Sequence, residues 1–137
     1  MRRVMISRTS KYALRVLGYL IAQGETRTTG EELARNTGIP ANYLSKVLSQ
    51  LRKHGFVDAE KGWGGGFRVR RQAMDRPIKE ILEIIDGPER TESRECVFGL
   101  PECDEEHPCP LHDRWGDIRK AYLEMLTATK VADLEAR

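Results

Sequence analysis

Ile39-Pro40-Ala41-Asn42-Tyr43-Leu44-Ser45-Lys46-Val47-Leu48-Ser49-Gln50-Leu51-Arg52-Lys53, closed by Gly55, is the stretch that decides the fold. Leu44, Val47, Leu48 and Leu51 recur at helical spacing and make an inward stripe, while Asn42, Ser45, Lys46, Ser49 and Lys53 project from the opposite face. That polar face combines small or amide side chains with cations and holds no acid, a composition suited to base edges flanked by phosphates. An ordinary solvated face usually mixes both signs, so the segment reads as a recognition helix running from Pro40 to about Lys53.

The flanks agree. Upstream, Ser10 can cap a helix with Ala13, Val16, Leu17, Leu20 and Ile21 on one face, stopped by Gly24. Thr28-Thr29-Gly30-Glu31-Glu32 offers two overlapping capping boxes, Thr28 with Glu31 and Thr29 with Glu32, before a short helix with Leu33 and Ala34. Gly38 suits a left-handed cap, and Pro40 suits the first turn of the helix that follows. Downstream, Phe56 to Glu60 and Phe67 to Arg70 read as two strands joined by Lys61-Gly62-Trp63-Gly64-Gly65-Gly66. Three helices followed by a glycine-tipped hairpin predict a winged helix-turn-helix, a mainly α fold with a small β-hairpin wing. Glycines let the tip approach a phosphate or enter a narrow groove, with Lys61, Arg68, Arg70 and Arg71 supplying charge. Thr29, Pro40 and Tyr43 complete the expected DNA-contacting set with the recognition face and the wing residues Lys61, Gly62, Trp63, Gly64, Gly65 and Arg68.

Composition is consistent with a soluble regulator: of 137 residues, 39% are hydrophobic and 32% charged, and no apolar run is long enough to span a membrane. The basic start leads into an amphipathic segment with no cleavage-site pattern, which predicts a cytoplasmic protein. The net charge of +2 conceals a division. Residues 1 to 80 hold 16 Lys and Arg against 7 Asp and Glu, and residues 81 to 137 hold 7 against 14. Nucleic acid suits the first part and a different partner the second. No Cys-x-x-Cys pair, nucleophile motif or glycine loop opening a helix is present, so no enzyme and no small-molecule substrate are expected.

Pro77 begins a helix with Ile78, Ile81, Leu82 and Ile85 inward, stopped at Asp86-Gly87-Pro88; residues 89 to 110 lack periodicity. The three cysteines lie there: Cys96, six residues, Cys103, five residues, Cys109, then two and His112. An odd count of clustered thiols argues for metal or redox chemistry over disulfides. Thiolate and imidazole ligands suit an iron-sulfur cluster or zinc. Zinc sites favour closely paired ligands, a spacing met only by Cys109 with His112, while wider gaps suit a cluster, so a purely structural zinc site is the alternative. From Leu111 a last helix shows Leu111, Trp115, Ile118, Tyr122, Met125, Thr129 and Ala132 at alternating spacings of four and three, a seam expected to join two subunits. The expected organisation is a DNA-binding domain over 1–88, a cysteine loop over 89–110 and a dimerisation helix over 111–137, with Trp115, Ile118, Tyr122 and Met125 at the interface.

Tyr12-Ala13-Leu14-Arg15, Ile39-Pro40-Ala41-Asn42-Tyr43-Leu44, Gly62-Trp63-Gly64-Gly65-Gly66-Phe67 and Cys109-Pro110-Leu111-His112-Asp113-Arg114-Trp115 together resemble the Rrf2 family of bacterial regulators over nearly the whole chain. The resemblance implies a homodimer on a palindromic DNA operator, holding a 2Fe-2S or 4Fe-4S cluster and serving iron-sulfur homeostasis, iron control, nitric oxide response or redox sensing. It makes Cys96, Cys103 and Cys109 ligands, and His112 matches the fourth ligand of a 2Fe-2S branch. In another branch an acidic residue of the second subunit completes a 4Fe-4S site; the matching position here is Lys11, a cation, so the 2Fe-2S form is favoured.

Overall fold

The computed structural model describes residues 6–91, 96–101 and 104–135. Cys103 and the acids Glu95 and Glu102 lie outside the described residues. Helix α1 (Arg8–Gln23) packs Ala13, Val16, Leu17 and Leu20 into the core and ends at Gly24, whose φ of 61° favours glycine. Its N-cap is Ser7 and not the expected Ser10: Ser7 Oγ accepts the Ser10 N–H at 3.1 Å. Ser10 is buried one turn inside, where its hydroxyl and that of Ser7 both donate to the Asp86 carboxylate at 2.7 to 2.8 Å. A tertiary acceptor thus outranks the local capping preference that suggested Ser10.

Of the two overlapping capping boxes, Thr29 with Glu32 forms and starts α2 (Gly30–Thr37). The box expected for Thr28 gives way to a strand bridge: Thr28 N–H donates to Phe67 O at 2.9 Å and Phe67 N–H to Thr28 O at 2.8 Å. Gly38 in the left-handed conformation ends α2, and Pro40 occupies the N-cap of α3 (Ala41–Lys53), which buries Leu44, Val47, Leu48 and Leu51. Strands β1 (Val57–Glu60) and β2 (Gly66–Val69) pair antiparallel, with Val57 opposite Val69 and Glu60 opposite Gly66. Thr28 lends the hairpin a third, single-residue strand, so the wing is tied to the entry of α2.

Helix α4 (Ile78–Asp86) ends at Gly87. Pro88 then opens a one-turn helix, α5 (Pro88–Thr91), that the absence of periodicity had concealed; proline at the first helical position suits it. The last helix, α6 (His112–Ala128), is shorter than the heptad seam predicted. Thr129 leaves the helix, and Ala132 falls in a 3-10 turn over 131–134. That end folds back on the first part of the chain. Ile78 N–H donates to Thr129 O, Val131 N–H to Arg76 O and Ala132 N–H to Met74 O, all at 2.9 to 3.0 Å. Leu126 and Val131 are fully buried in one core with α1, α3 and α4. Among the described residues no helix is long and apolar enough to cross a membrane.

The docked end makes Leu126 a core residue although it stands outside the predicted seam. Leu126→Ala should therefore lower the stability to urea unfolding by about 3 kcal/mol through the transfer and cavity costs. A loss under about 1 kcal/mol would mean that α6 is not held by the core.

Candidate nucleic-acid interface and cysteine loop

Helix α3 presents Asn42, Ser45, Lys46, Ser49 and Lys53 to solvent, with Pro40 exposed at its start. Its inward face is consumed by the core, so these side chains are the ones left for a ligand. Tyr43 differs: it is half-buried, and its ring meets that of Tyr12 edge-on at 5.5 Å, joining α3 to α1. Thr29 is exposed, but its hydroxyl accepts the Glu32 N–H and caps α2.

At the wing tip Lys61, Gly62, Trp63 and Gly64 are exposed, and Trp63 stands fully out in solvent. The turn closes through Gly65 N–H to Gly62 O at 3.0 Å. Two glycines here are obligatory for different reasons. A Cβ on Gly65 would collide with the Glu60 carbonyl oxygen, and one on Gly66, at φ 129°, would lie 2.6 Å from the Thr28 carbonyl. The glycine run therefore serves the close approach of the third strand as well as any contact at the tip.

Arg27, only 10% exposed at its side chain, holds the wing from beneath. Its guanidinium pairs with Asp58 at 2.5 Å and Glu60 at 3.4 Å, and donates to the Gly66 carbonyl at 3.1 Å. Arg68 is drawn into the same network, at 3.4 Å from Asp58 and 3.0 Å from Glu25, so its charge is shared between the fold and any outside partner. Burial raises the Asp58 pKa, but the hydrogen bonds from Arg27 and Arg68, with their charges, outweigh it and leave the carboxyl below its ordinary value. Arg27 was not singled out in the sequence. The available signal was Asp58 and Glu60, two apart on β1 and therefore on one face, which calls for a cation beneath them.

In the cysteine loop, the Cys96 side chain is buried and the Cys109 residue half-buried, both as free thiols. The Leu100 backbone N–H aimed at the Cys96 sulfur lowers its pKa and outweighs the burial that raises it. Phe98 N–H, the Cys109 side chain and Gly99 N–H add to the effect. Donors converging on one sulfur favour thiolate, the form that ligates metals. His112 starts α6, its N–H donating to the Cys109 carbonyl at 3.1 Å. Asp104 is held below its ordinary value first by His107, 2.8 Å away, then by the Glu106 N–H, with a charge contribution from His112. Among the described residues no three ligating side chains converge on one point, so the two thiols form the described part of the donor set. Their chemistry, a buried thiol with a lowered pKa beside a second thiol, fits an iron-sulfur cluster or a thiophilic metal.

The predicted interface residues of α6 divide. Ile118 and Met125 are about half exposed, as is Leu111. Trp115 is half-buried, and Tyr122 packs against the core of its own domain.

A family model described as Rrf2, iron-dependent transcriptional regulator, matches residues 6–137. An HTH-type transcriptional regulator of Aquifex aeolicus is 29% identical over 133 residues, 96% of this chain and 91% of that one. The regulator IscR of Vibrio atlanticus is 27% identical over 103 residues, 75% of this chain and 58% of that one. Among solved structures, CymR, the global cysteine regulator of B. subtilis, superposes with a TM-score of 0.73 at 26% identity, covering 95% of each chain.

The depressed Asp58 carboxyl gives the wing a pH signature. Because its folded pKa lies below the unfolded one, the stabilisation is complete above the unfolded value and disappears as pH falls through the folded value. Asp58→Asn should cost about 1 kcal/mol at neutral pH, a modest figure because the carboxylate is partly exposed. The difference from wild type should close on acidification, as read by urea unfolding across the acid range.

Proposed function

The chain belongs to the Rrf2 family of transcriptional regulators, which bind DNA and are not enzymes, and from that premise we propose that it is a homodimer reading a palindromic operator under the control of an iron-sulfur cluster. Helix α3 would supply base contacts through Asn42, Ser45, Lys46 and Ser49, and the wing would follow the backbone with Lys61 and the glycine tip. The acid-free exposed face of α3 supports this assignment. Leu111, Ile118 and Met125, exposed along α6, would pack against a second copy together with Trp115 and the outer edge of Tyr122.

The observation that carries the sensing half of the proposal is the Cys96 thiol, buried and surrounded by the Leu100, Phe98 and Gly99 N–H groups with Cys109 beside it. A family description that specifies iron dependence and a relative named IscR point the same way. Cys96, Cys103 and Cys109 would hold the cluster with His112 as fourth ligand, in the 2Fe-2S form. A bound cluster supplies a group whose charge and ligation change with oxidation, iron supply or nitric oxide. The chain's own residues provide the transmission. Cys109 is joined to His112 by a backbone hydrogen bond at the first turn of α6, so moving one moves the start of the helix. Because the other end of α6 is anchored through Leu126, displacement at His112 tilts a helix that packs on the reading domain.

Protein purified without air should carry about two irons and two sulfides per chain and a visible charge-transfer band, and Cys109→Ala should lose both. A colourless protein containing zinc, or one that takes up neither iron nor sulfide on reconstitution, would overturn the cluster assignment.

A further inference from the structure

A groove of about 480 Å³ runs between α2, α3 and β2. Ala34, Leu48 and Phe67 give it apolar walls, and Ser45, Ser49 and Arg52 line its α3 side. Several arginines around the wing are engaged, while Arg70, exposed just after β2, does not line the groove. Arg27, Arg68 and Arg71 pair with acids, and Arg76 pairs with Glu80 while lying over the Phe56 ring. Arg52 is exposed and has no ion-pair partner among the described residues.

Apolar walls with one uncommitted guanidinium match a chain that alternates ring edges with anionic groups, as a deoxyribose-phosphate strand does. Ser45 and Ser49 belong both to the groove and to the exposed face of α3, so an occupant of the groove is continuous with whatever α3 reads. The groove flanks α3 on the side of α2 and reaches the base of the wing at Phe67, so a strand leaving the recognition helix toward the wing would pass along it. We propose that one operator strand lies in it, a phosphate seated on Arg52 and sugar edges over Leu48 and Phe67. Glu31, the acid lining the α2 side, opposes a phosphate there, leaving Arg52 as the charged seat. The inference rests on the assignment of α3 as recognition helix and adds a positioning residue to it.

The test measures binding to an operator duplex selected from random sequence, over a series of salt concentrations, for wild type, Arg52→Gln, Arg52→Lys and Lys46→Ala. Arg52→Gln should bind about 10-fold more weakly and lower the salt slope by about one. Arg52→Lys should keep the slope. A duplex with a single methylphosphonate at the seated phosphate should weaken wild type and leave Arg52→Gln unaffected. If Arg52→Gln matches wild type in affinity and slope while Lys46→Ala is impaired, the groove proposal is wrong and the recognition helix stands. If neither variant is impaired, the recognition helix assignment fails and the groove falls with it. An Arg52→Gln variant that changes only the oligomeric state would assign the groove to a second copy of the chain and overturn the proposal.

Discussion

The ion pairs of Arg27 hold the two halves of the reading surface in one geometry. The residue lies in the short connection between α1 and α2, yet its guanidinium reaches Asp58 and Glu60 on β1 and the Gly66 carbonyl on β2. Next to it Thr28 pairs with Phe67 through two backbone hydrogen bonds. The hairpin is therefore fastened to the segment that launches the helix-turn-helix, and a two-stranded ribbon that would be marginal alone gains a fixed orientation. A buried arginine is costly unless its partners are in place, so the wing has one favourable position. The exposed face of α3, the groove beside it and the wing tip are aligned by this constraint.

Chain continuity connects the cysteine loop to the reading domain, because the thiol loop ends where α6 begins and α6 ends by docking on the first part of the chain through Leu126 and Val131. Under the proposed function, a rod held by the core at one end and by a cluster-bearing loop at the other would supply the two-state element that coupling between sites requires. Ile118 and Met125, exposed along it, are where the proposed second subunit would pack. In a dimer each tilt would then alter the separation of two recognition helices, the quantity a palindromic operator measures.

Much of this was legible in the sequence because the relevant signals are local. The stripe of Leu44, Val47, Leu48 and Leu51 specifies α3, the Thr29 and Glu32 pair starts α2, and glycines at 24, 38 and 87 mark where helices stop. What escaped has a tertiary cause in each instance. Ser10 looks like a cap until Asp86, 76 residues away, claims its hydroxyl. Thr28 looks like a second capping residue until Phe67 pairs with it. The heptad spacing of α6 runs on through Ala132, but hydrogen bonds to Met74 and Arg76 turn the chain back after Ala128. Spacing puts Arg52 on the same flank of α3 as Ser45 and Ser49, but only the position of β2 makes that flank the wall of a groove. The cysteine spacing pointed to ligands, while the amides that favour the Cys96 thiolate follow from the turn through Gly99, whose φ is 99°.

In the proposed function the cysteine loop and the DNA-reading surface are thermodynamically linked. Operator affinity measured without air at one fixed salt concentration, for cluster-loaded and cluster-free protein of the same preparation, tests it most directly. The two forms should differ by about fivefold or more on at least one operator. Equal affinities for every operator tested would contradict it.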